Sequence, residues 1–467
     1  MAWHLSVQVD RASVVPLTAQ LQNGIKDMIE DRVLHPGARL PSSRQLALDL
    51  GLSRSVVVEA YEQLIAEGYL DAVRGSGTHV TRQLPATAAE PSLLDPSPVP
   101  EVRWDMRVGI ANLSNFPRQE WLNSYTKVLQ NVGRDGVDYP PVAGIAELRN
   151  ELAGYLGRVR SVRTTPGHVM VTAGFAQGLA LLAASFQHLG IHELAIEEPG
   201  HSGQRRFILD TGLSPVPVPV DAEGLVVEAL ARTGVRAVLV TPAHQFPTGV
   251  TLSAARKAQL LRWAQEVDAW IIEDDYDGEF WFDRRARPPA LQESDPERVV
   301  YAGTTSKVLV PGLRLGWLAI PPKIFPLMER VRSRQDQGSD TLTQLAFADL
   351  MRGGLLDRHL RRVRSRYRSR SEALAAAVGR HLPQARMNGS AAGLHSYALL
   401  PPGTDEAALV RGALRRSVLV RGSQQFRFGS ASAGRPALLL GYGSLPLSGI
   451  TEAVAAIGAA YEELGRG

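Results

Sequence analysis

Beyond about residue 103 the chain alternates short apolar runs with helical segments, and this alternation constrains the fold more than any other feature. Strand-like runs occur at 169–172, 194–196, 237–240, 270–272 and 299–301, with helical spacing between them. Strands separated by helices run parallel, so the expectation is an α/β fold: a mostly parallel sheet flanked by helices, with a smaller α+β subdomain at the C-terminal end. Open sheets of this kind place ligand groups at the carboxyl ends of their strands. The residues just after each run are therefore the candidates for chemistry.

Upstream the text differs. Pro85, Pro91, Pro96, Pro98 and Pro100 stand among alanines and serines without helical or strand period, so residues 81–102 read as a linker. At about 3.1 Å per residue such a segment reaches roughly 60 Å. It separates a unit at 10–80 from one at 103–467. In the first, Leu17, Leu21, Ile25, Met28, Ile29 and Val33 have helical spacing, and His35-Pro-Gly then breaks the helix. Ser42 and Ser43 cap a short helix at 44–50, Gly51 ends it, and Ser53 caps a longer one at 54–67. Two helices across so tight a turn suit a helix-turn-helix. Residues 68–80 follow as two short strands about a glycine-rich tip, a wing. Ser53, Arg54 and Ser55 then open a recognition helix, Arg44 can take a backbone phosphate, and Arg74 with Gly75 can enter a minor groove. Acidic groups outnumber basic ones over residues 1–80, so double-stranded DNA would be held by a local basic face rather than by net charge.

Composition narrows the classes. At 467 residues the chain is long for one core, and 44% hydrophobic with 21% charged residues is an ordinary globular balance. With no cysteine, disulfides, thiolate metal sites and thiol nucleophiles are excluded, and no metal site is read. A formal net charge of +4 is small for this size. Residues 1–10 lack the basic start and apolar run of a signal peptide, and no uncharged run is long enough to span a bilayer, so the expectation is a soluble cytoplasmic protein.

Three stretches carry chemistry. Tyr301-Ala-Gly-Thr-Thr-Ser-Lys307 continues to Arg314 and Gly316. Lys307 can form an imine, Thr304 and Ser306 can donate to phosphate oxygens, and Arg314 offers a planar fork for the same anion. Glu273-Asp-Asp-Tyr-Asp277 ends an apolar run in carboxylates. In Thr172-Ala-Gly174-Phe175-Ala176-Gln177 a glycine turn leads into a helix expected at 178–187, whose first amides can cradle a phosphate. An acid at a strand end and a lysine 33 residues later are the two charged contacts of pyridoxal 5′-phosphate: the acid keeps the pyridine nitrogen protonated and the amine takes the aldehyde.

The order and spacing of these stretches resemble the fold-type I aminotransferases. Together with Thr241-Pro-Ala-His-Gln-Phe-Pro-Thr-Gly249 they resemble the regulatory branch called MocR-type. The run from Leu40 to Tyr69 is similar to the winged helix of GntR-family regulators, although Val58 stands where some members have another basic residue. The resemblance implies DNA contacts at Arg44, Ser53, Arg54, Ser55, Arg74 and Gly75. It also implies a cofactor on Lys307, with Asp274 at the pyridine nitrogen and its neighbour Asp275 as the rival by one residue, Tyr276 at the ring hydroxyl and His201 stacked on the ring. The segment Tyr139-Pro-Pro-Val to Arg149 is similar to one that crosses a homodimer, where Tyr139 would touch the partner's phosphate; otherwise it is a buried rim aromatic.

Whether such a domain catalyses turns on one position. Aminotransferases clamp the substrate carboxylate with an arginine on a late strand, and here that position is Leu439. Arg435 would sit roughly 13 Å up the strand. Two signals remain open: pyridoxal phosphate itself, as in vitamin B6 control, which is favoured, or an amino acid or amine joined to the bound cofactor. The competing classes are an active aminotransferase and a DNA binder with an idle body. The arginine-rich run at 358–370 reads as a subunit-packing or solvated face in preference to a surface for wrapped DNA. The chain is thus expected to be a homodimeric transcription regulator acting on an operator with repeated half-sites.

Overall fold

In the N-terminal unit, the first helix, α1 (Leu17–Glu30), lays Leu21, Ile25 and Ile29 against the body of the module. Ser42 and Ser53 then start α2 (Ser43–Asp49) and α3 (Arg54–Ala66), their side chains accepting from the amides of Gln45 and Val56. Gly51, at φ +64°, makes the left-handed turn between them, where a β-carbon would be strained. Strands β1 (Leu70–Val73) and β2 (Gly77–Val80) pair antiparallel from Leu70 opposite Val80 to Val73 opposite Gly77. Leu46, Val57, Ala60, Tyr61 and Leu64 fill the small core. The computed structural model describes residues 9–11, 13, 15–30, 33–73, 77–81, 100–282, 287–389, 392–428 and 434–465. Arg74 and Gly75 of the wing tip, and positions 82–99 of the expected linker, lie outside them.

Residues 100–467 form the second unit. In chain order it contains β3 (Trp104–Asp105), α4 (Arg118–Asn131), α5 (Ala146–Arg160), β4 (Val169–Thr172), α6 (Phe175–His188), β5 (Glu193–Glu198), α7 (Ser202–Asp210), β6 (Ser214–Asp221) and β7 (Gly224–Leu225). There follow α8 (Val227–Ala231), β8 (Ala237–Val240), α9 (Ala254–Glu266), β9 (Trp270–Asp274), β10 (Val299–Thr304) and β11 (Gly316–Ala319). These strands, β3 apart, make one eight-stranded sheet in the order β4-β11-β10-β9-β8-β5-β6-β7. It is parallel through the middle; β11 runs antiparallel to β10 and β4, and β7 to β6. Helices α10 (Phe325–Gln335), α11 (Thr341–Arg352) and α12 (Leu355–His381) lead to β12 (Arg386–Asn388), β13 (His395–Leu399), α13 (Glu406–Arg415), β14 (Val418–Leu419), β15 (Arg421–Gly422), β16 (Ala437–Gly441) and α14 (Leu447–Leu464). The smaller sheet is antiparallel, in the order β12-β13-β16-β15, and β14 pairs with β3.

The two-residue period of the central strands decides which polar group meets which layer. On β9, Trp270 and Ile272 pack with Leu182 and Phe186 of α6, while Ile271 packs with Leu260 and Trp263 of α9. On β10, Val300 and Ala302 join the α6 layer, and Val299 and Tyr301 face the other way. Continuing the alternation puts Asp274 and Thr304 on the α6 face. Glu273 goes to the opposite one, where its carboxylate accepts from the amides of Leu291 and Gln292. Helix α6 begins at Phe175, three residues before the expected start, because Gly174 at φ +93° turns the chain directly into it. No helix of the described residues is long and apolar enough to cross a membrane.

Candidate functional site

Loops at the carboxyl ends of β4, β5, β8, β9 and β10 surround a cavity of about 520 Å³, within the size range of small-molecule sites. Lys307 enters it from the turn after β10, and its Nζ donates to the Gly109 carbonyl at 2.5 Å. Burial holds its ammonium below the usual lysine range, with Asp277 and Asp274 pulling the other way. A buried amine without a carboxylate in direct contact is easily made neutral, which is what attack on an aldehyde requires.

Asp274 lines the same cavity and is 8% exposed. Among the described residues its carboxylate has one hydrogen bond, a long 3.4 Å contact from Gln204 Nε2, and no basic side chain pairs with it. Burial, and next the neighbouring Asp275, push its carboxyl up to about 8. Asp275 is placed differently. It forms a buried two-pronged ion pair with Arg160, at 2.5 and 3.1 Å, and accepts from the Tyr301 hydroxyl at 2.6 Å. The two adjacent acids that the sequence leaves as rivals thus lie on opposite faces, and only Asp274 reaches the cavity.

At the other end the donors gather. The first amides of α6, at Phe175 and Ala176, have no carbonyl four residues back to bond. Arg314, in left-handed backbone at φ +48°, donates to the Ala173 carbonyl at 2.6 Å, and a β-carbon on Gly174 would meet its guanidinium at 3.3 Å. The Thr304 and Ser306 hydroxyls lie 3.0 Å apart beside it. Gln177 holds this corner, accepting from the Ala173 amide at 2.5 Å and donating to Asp336. His201 caps α7 through its ring, accepting from the Gln204 amide at 3.1 Å, and lies 5.2 Å from the Phe246 ring at the cavity wall. Tyr276 lines the cavity with its hydroxyl donating to the His244 carbonyl at 3.1 Å. A phosphorylated pyridine aldehyde fits this set: an anion site at a helix start, an amine between, and a buried acid lacking a cation.

Several participants were not singled out from sequence. Gln204 and Arg160 bear on the two aspartates from distant segments. Glu197, in the cavity wall, accepts from Thr241 Oγ1 at 2.5 Å, and burial pushes it up to about 7. His244 was within reach, since the Thr241-to-Gly249 stretch already stood out. One expectation changes. Tyr139 is 83% exposed and lines a separate groove with residues 336–342, so within one chain it is not a buried rim aromatic. Glu273, Asp275 and Asp277 are all buried.

Leu439 is fully buried on β16 among Phe246, Tyr397, Phe426 and Ala437. None of the nearby arginines lines the cavity: Arg421 is exposed, Arg427 is half-buried, and Arg435 donates to the Leu400 carbonyl. On α12, Arg362 pairs with Glu120, Arg364 with Glu279, Arg366 with Asn115, and Arg370 with the Gly443 carbonyl, which ties that helix to its own chain. In the N-terminal unit Arg44, Ser53, Arg54 and Ser55 are exposed together at the starts of α2 and α3, and Ser53 Oγ lies 2.9 Å from Ser55 Oγ.

Comparison with known proteins agrees with both units. Residues 17–80 match the bacterial regulatory proteins of the gntR family, and residues 109–438 match aminotransferase class I and II. The probable rhizopine catabolism regulatory protein MocR of Rhizobium meliloti is 34% identical over 395 residues, covering 80% of this chain and 79% of that protein. The HTH-type pyridoxine biosynthesis transcriptional regulator PdxR of Corynebacterium glutamicum is 32% identical over 389 residues, covering 82% and 83%. Among solved structures, the α-aminoadipate aminotransferase LysN of Thermus thermophilus superposes with a TM-score of 0.69 at 27% identity, covering 78% of this chain and 92% of that one. With a GntR-type winged helix, an aminotransferase-like body and regulators as relatives over most of its length, the chain belongs to the MocR-type transcription regulators.

Proposed function

We propose that the aminotransferase-like domain holds pyridoxal 5′-phosphate on Lys307 and that the cofactor itself is the signal, so that DNA binding follows vitamin B6 supply. The observation that carries this is the buried Asp274 carboxylate, which shares a cavity with Lys307 and has no cation paired with it among the described residues. A protonated pyridine nitrogen would supply that cation and restore the ionised acid. When bound, the cofactor supplies an electrophilic carbon and an electron-withdrawing ring. Lys307 provides the attaching amine, and Arg314, Thr304, Ser306 and the amides at Gly174, Phe175 and Ala176 provide the phosphate site. Tyr276 and His201 line the same cavity, where the first would meet the ring oxygen and the second would cover one ring face. LysN is described in complex with a phosphopyridoxyl derivative of leucine, which supports the chemistry for the fold.

The apolar site around Leu439 favours the cofactor over an amino acid as effector. A carboxylate placed against Leu439, Phe426 and Phe246 would lose its water without gaining a partner. Several of the exposed large apolar side chains, Leu113, Leu122, Leu129, Val137 and Tyr139, fall within 113–139, which supports a homodimer built over that segment. Two winged helices on one dimer would read repeated half-sites in cytoplasmic DNA. The cofactor can bias their arrangement only through its differential affinity for the two states.

The deciding measurement is a gel-shift titration of the neighbouring intergenic DNA with and without pyridoxal phosphate. The expected result is a change in affinity with the cofactor, lost in Lys307→Ala. An affinity that ignores the cofactor but responds to an amino acid would refute cofactor sensing. Steady production of the amine form from an amino-acid panel would instead reveal an enzyme.

A further inference from the structure

His244, Asp277 and His395 form a buried cluster at the cavity wall, which His395 lines and the other two back, and none is among the cofactor-holding residues named above. They come from three places: the loop after β8, the loop after β9, and the start of β13. The Asp277 carboxylate lies 2.8 Å from His244 Nδ1, and the same nitrogen is 3.2 Å from the Tyr276 hydroxyl. That hydroxyl donates to the His244 carbonyl at 3.1 Å. One residue therefore holds the phenol by two atoms, and a carboxylate fixes its ring.

The surroundings leave the pair little freedom. A β-carbon on Gly393, in left-handed backbone at φ +71°, would collide with both the Asp277 carboxylate and the His244 ring, so bare backbone of the smaller subdomain seals them. The His395 ring centre lies 5.0 Å from that of His244, and its Nε2 donates to the Pro247 carbonyl at 3.2 Å. Burial, and next His244, hold His395 down at about 3, so it stays neutral.

We propose that His244 and Asp277 are positioning residues for Tyr276. Asp277 selects the imidazole tautomer that carries its proton on Nδ1, that N–H reaches the phenol oxygen and holds it in place, and the phenol's one proton, given to the His244 carbonyl here, would turn to an acceptor in the cavity when one is bound. This rests on the reading that Tyr276 faces a ring oxygen of the cofactor. The charged and titratable groups about the phenol are Asp277, Asp274 and Glu197, Lys307, and the imidazoles of His244 and His395.

The test loads the full-length protein with pyridoxal phosphate and follows the cofactor's visible absorption against pH in wild type, Tyr276→Phe, His244→Ala, His244→Asn and the Tyr276→Phe/His244→Ala double variant. A donor to an anionic ring oxygen favours the deprotonated form, so Tyr276→Phe raises the midpoint by about one unit. His244→Ala is expected to raise it most of the way. His244→Asn, whose amide can stand in for Nδ1–H, stays near wild type, and the double variant matches Tyr276→Phe alone. Equal midpoints in the Ala and Asn variants, or a full extra shift in the double variant, overturn the proposal. So does stoichiometric metal in the purified protein that His244→Ala removes, since the cluster would then be a metal site. A wild type without the absorption band sinks the cofactor reading and this inference with it; a band with unmoved midpoints sinks this inference alone.

Discussion

At the scale of single residues, the chemistry rests on two groups whose charge is costly where they sit. Lys307 is held below its usual range by burial, so the neutral amine is reached at lower pH than for an exposed lysine. Borohydride reduction of the cofactor-treated protein followed by peptide mapping is expected to label Lys307, and Lys307→Ala to show neither label nor absorption band. Asp274 gives a pH prediction. Its folded carboxyl titrates at about 8, above its ordinary value of 3.8, so the folded state binds a proton that the unfolded chain releases. Its stabilising contribution is full below the ordinary carboxylate range and disappears as pH rises through about 8. Asn mimics the protonated acid, so cofactor-free Asp274→Asn should exceed wild type in stability above that pH, by roughly 1–3 kcal/mol. Below pH 4 the two should melt alike. Added cofactor should stabilise wild type more than the variant, and a thermal series over pH checks all three outcomes.

At the scale of elements, helix starts do the positioning in both units. Ser53 caps α3 and is also among the residues expected at DNA. Ser53→Ala should cost the winged helix about 1 kcal/mol through the lost cap, whereas Arg54→Ala should leave its melting unchanged while weakening DNA. Calorimetry paired with a gel shift separates the two effects. Helix α6 uses the opposite device: its cap, Gly174, has no side chain, which leaves the first amides and Arg314 open to an anion. Gly174→Ala forces a β-carbon into φ +93° and against the Arg314 guanidinium. The expected outcome is at least a tenfold loss of cofactor affinity, measured by absorbance titration, with the rest of the domain still folded.

At the scale of the whole molecule, the proposed regulation uses two copies and DNA. If the exposed apolar residues of α4 are buried between copies, Leu129→Glu should convert the dimer to monomer in sedimentation at micromolar concentrations and weaken binding to a paired half-site more than to a single one. The N-terminal unit carries no net positive charge, so affinity should depend on a few phosphate contacts. Replacing Arg44 by Ala should lower the slope of log affinity against log salt by about 1.

Sequence by itself determined the elements and their order. Strand runs at 169–172 and 237–240, the serines that open α2 and α3, and the Lys307 and Arg314 pair are local matters of period, capping and side-chain chemistry, and all are legible in a linear text. The choice between Asp274 and Asp275 was not, because adjacent residues carry the same group and only the register of β9 against its neighbours says which faces α6. Nor could the sequence bring His395 to His244, which it meets across about 150 positions, or show that Gly393 seals them. Contacts between distant segments depend on how the layers pack, and packing alone decides which buried charge has a partner and which is left to find one in a ligand.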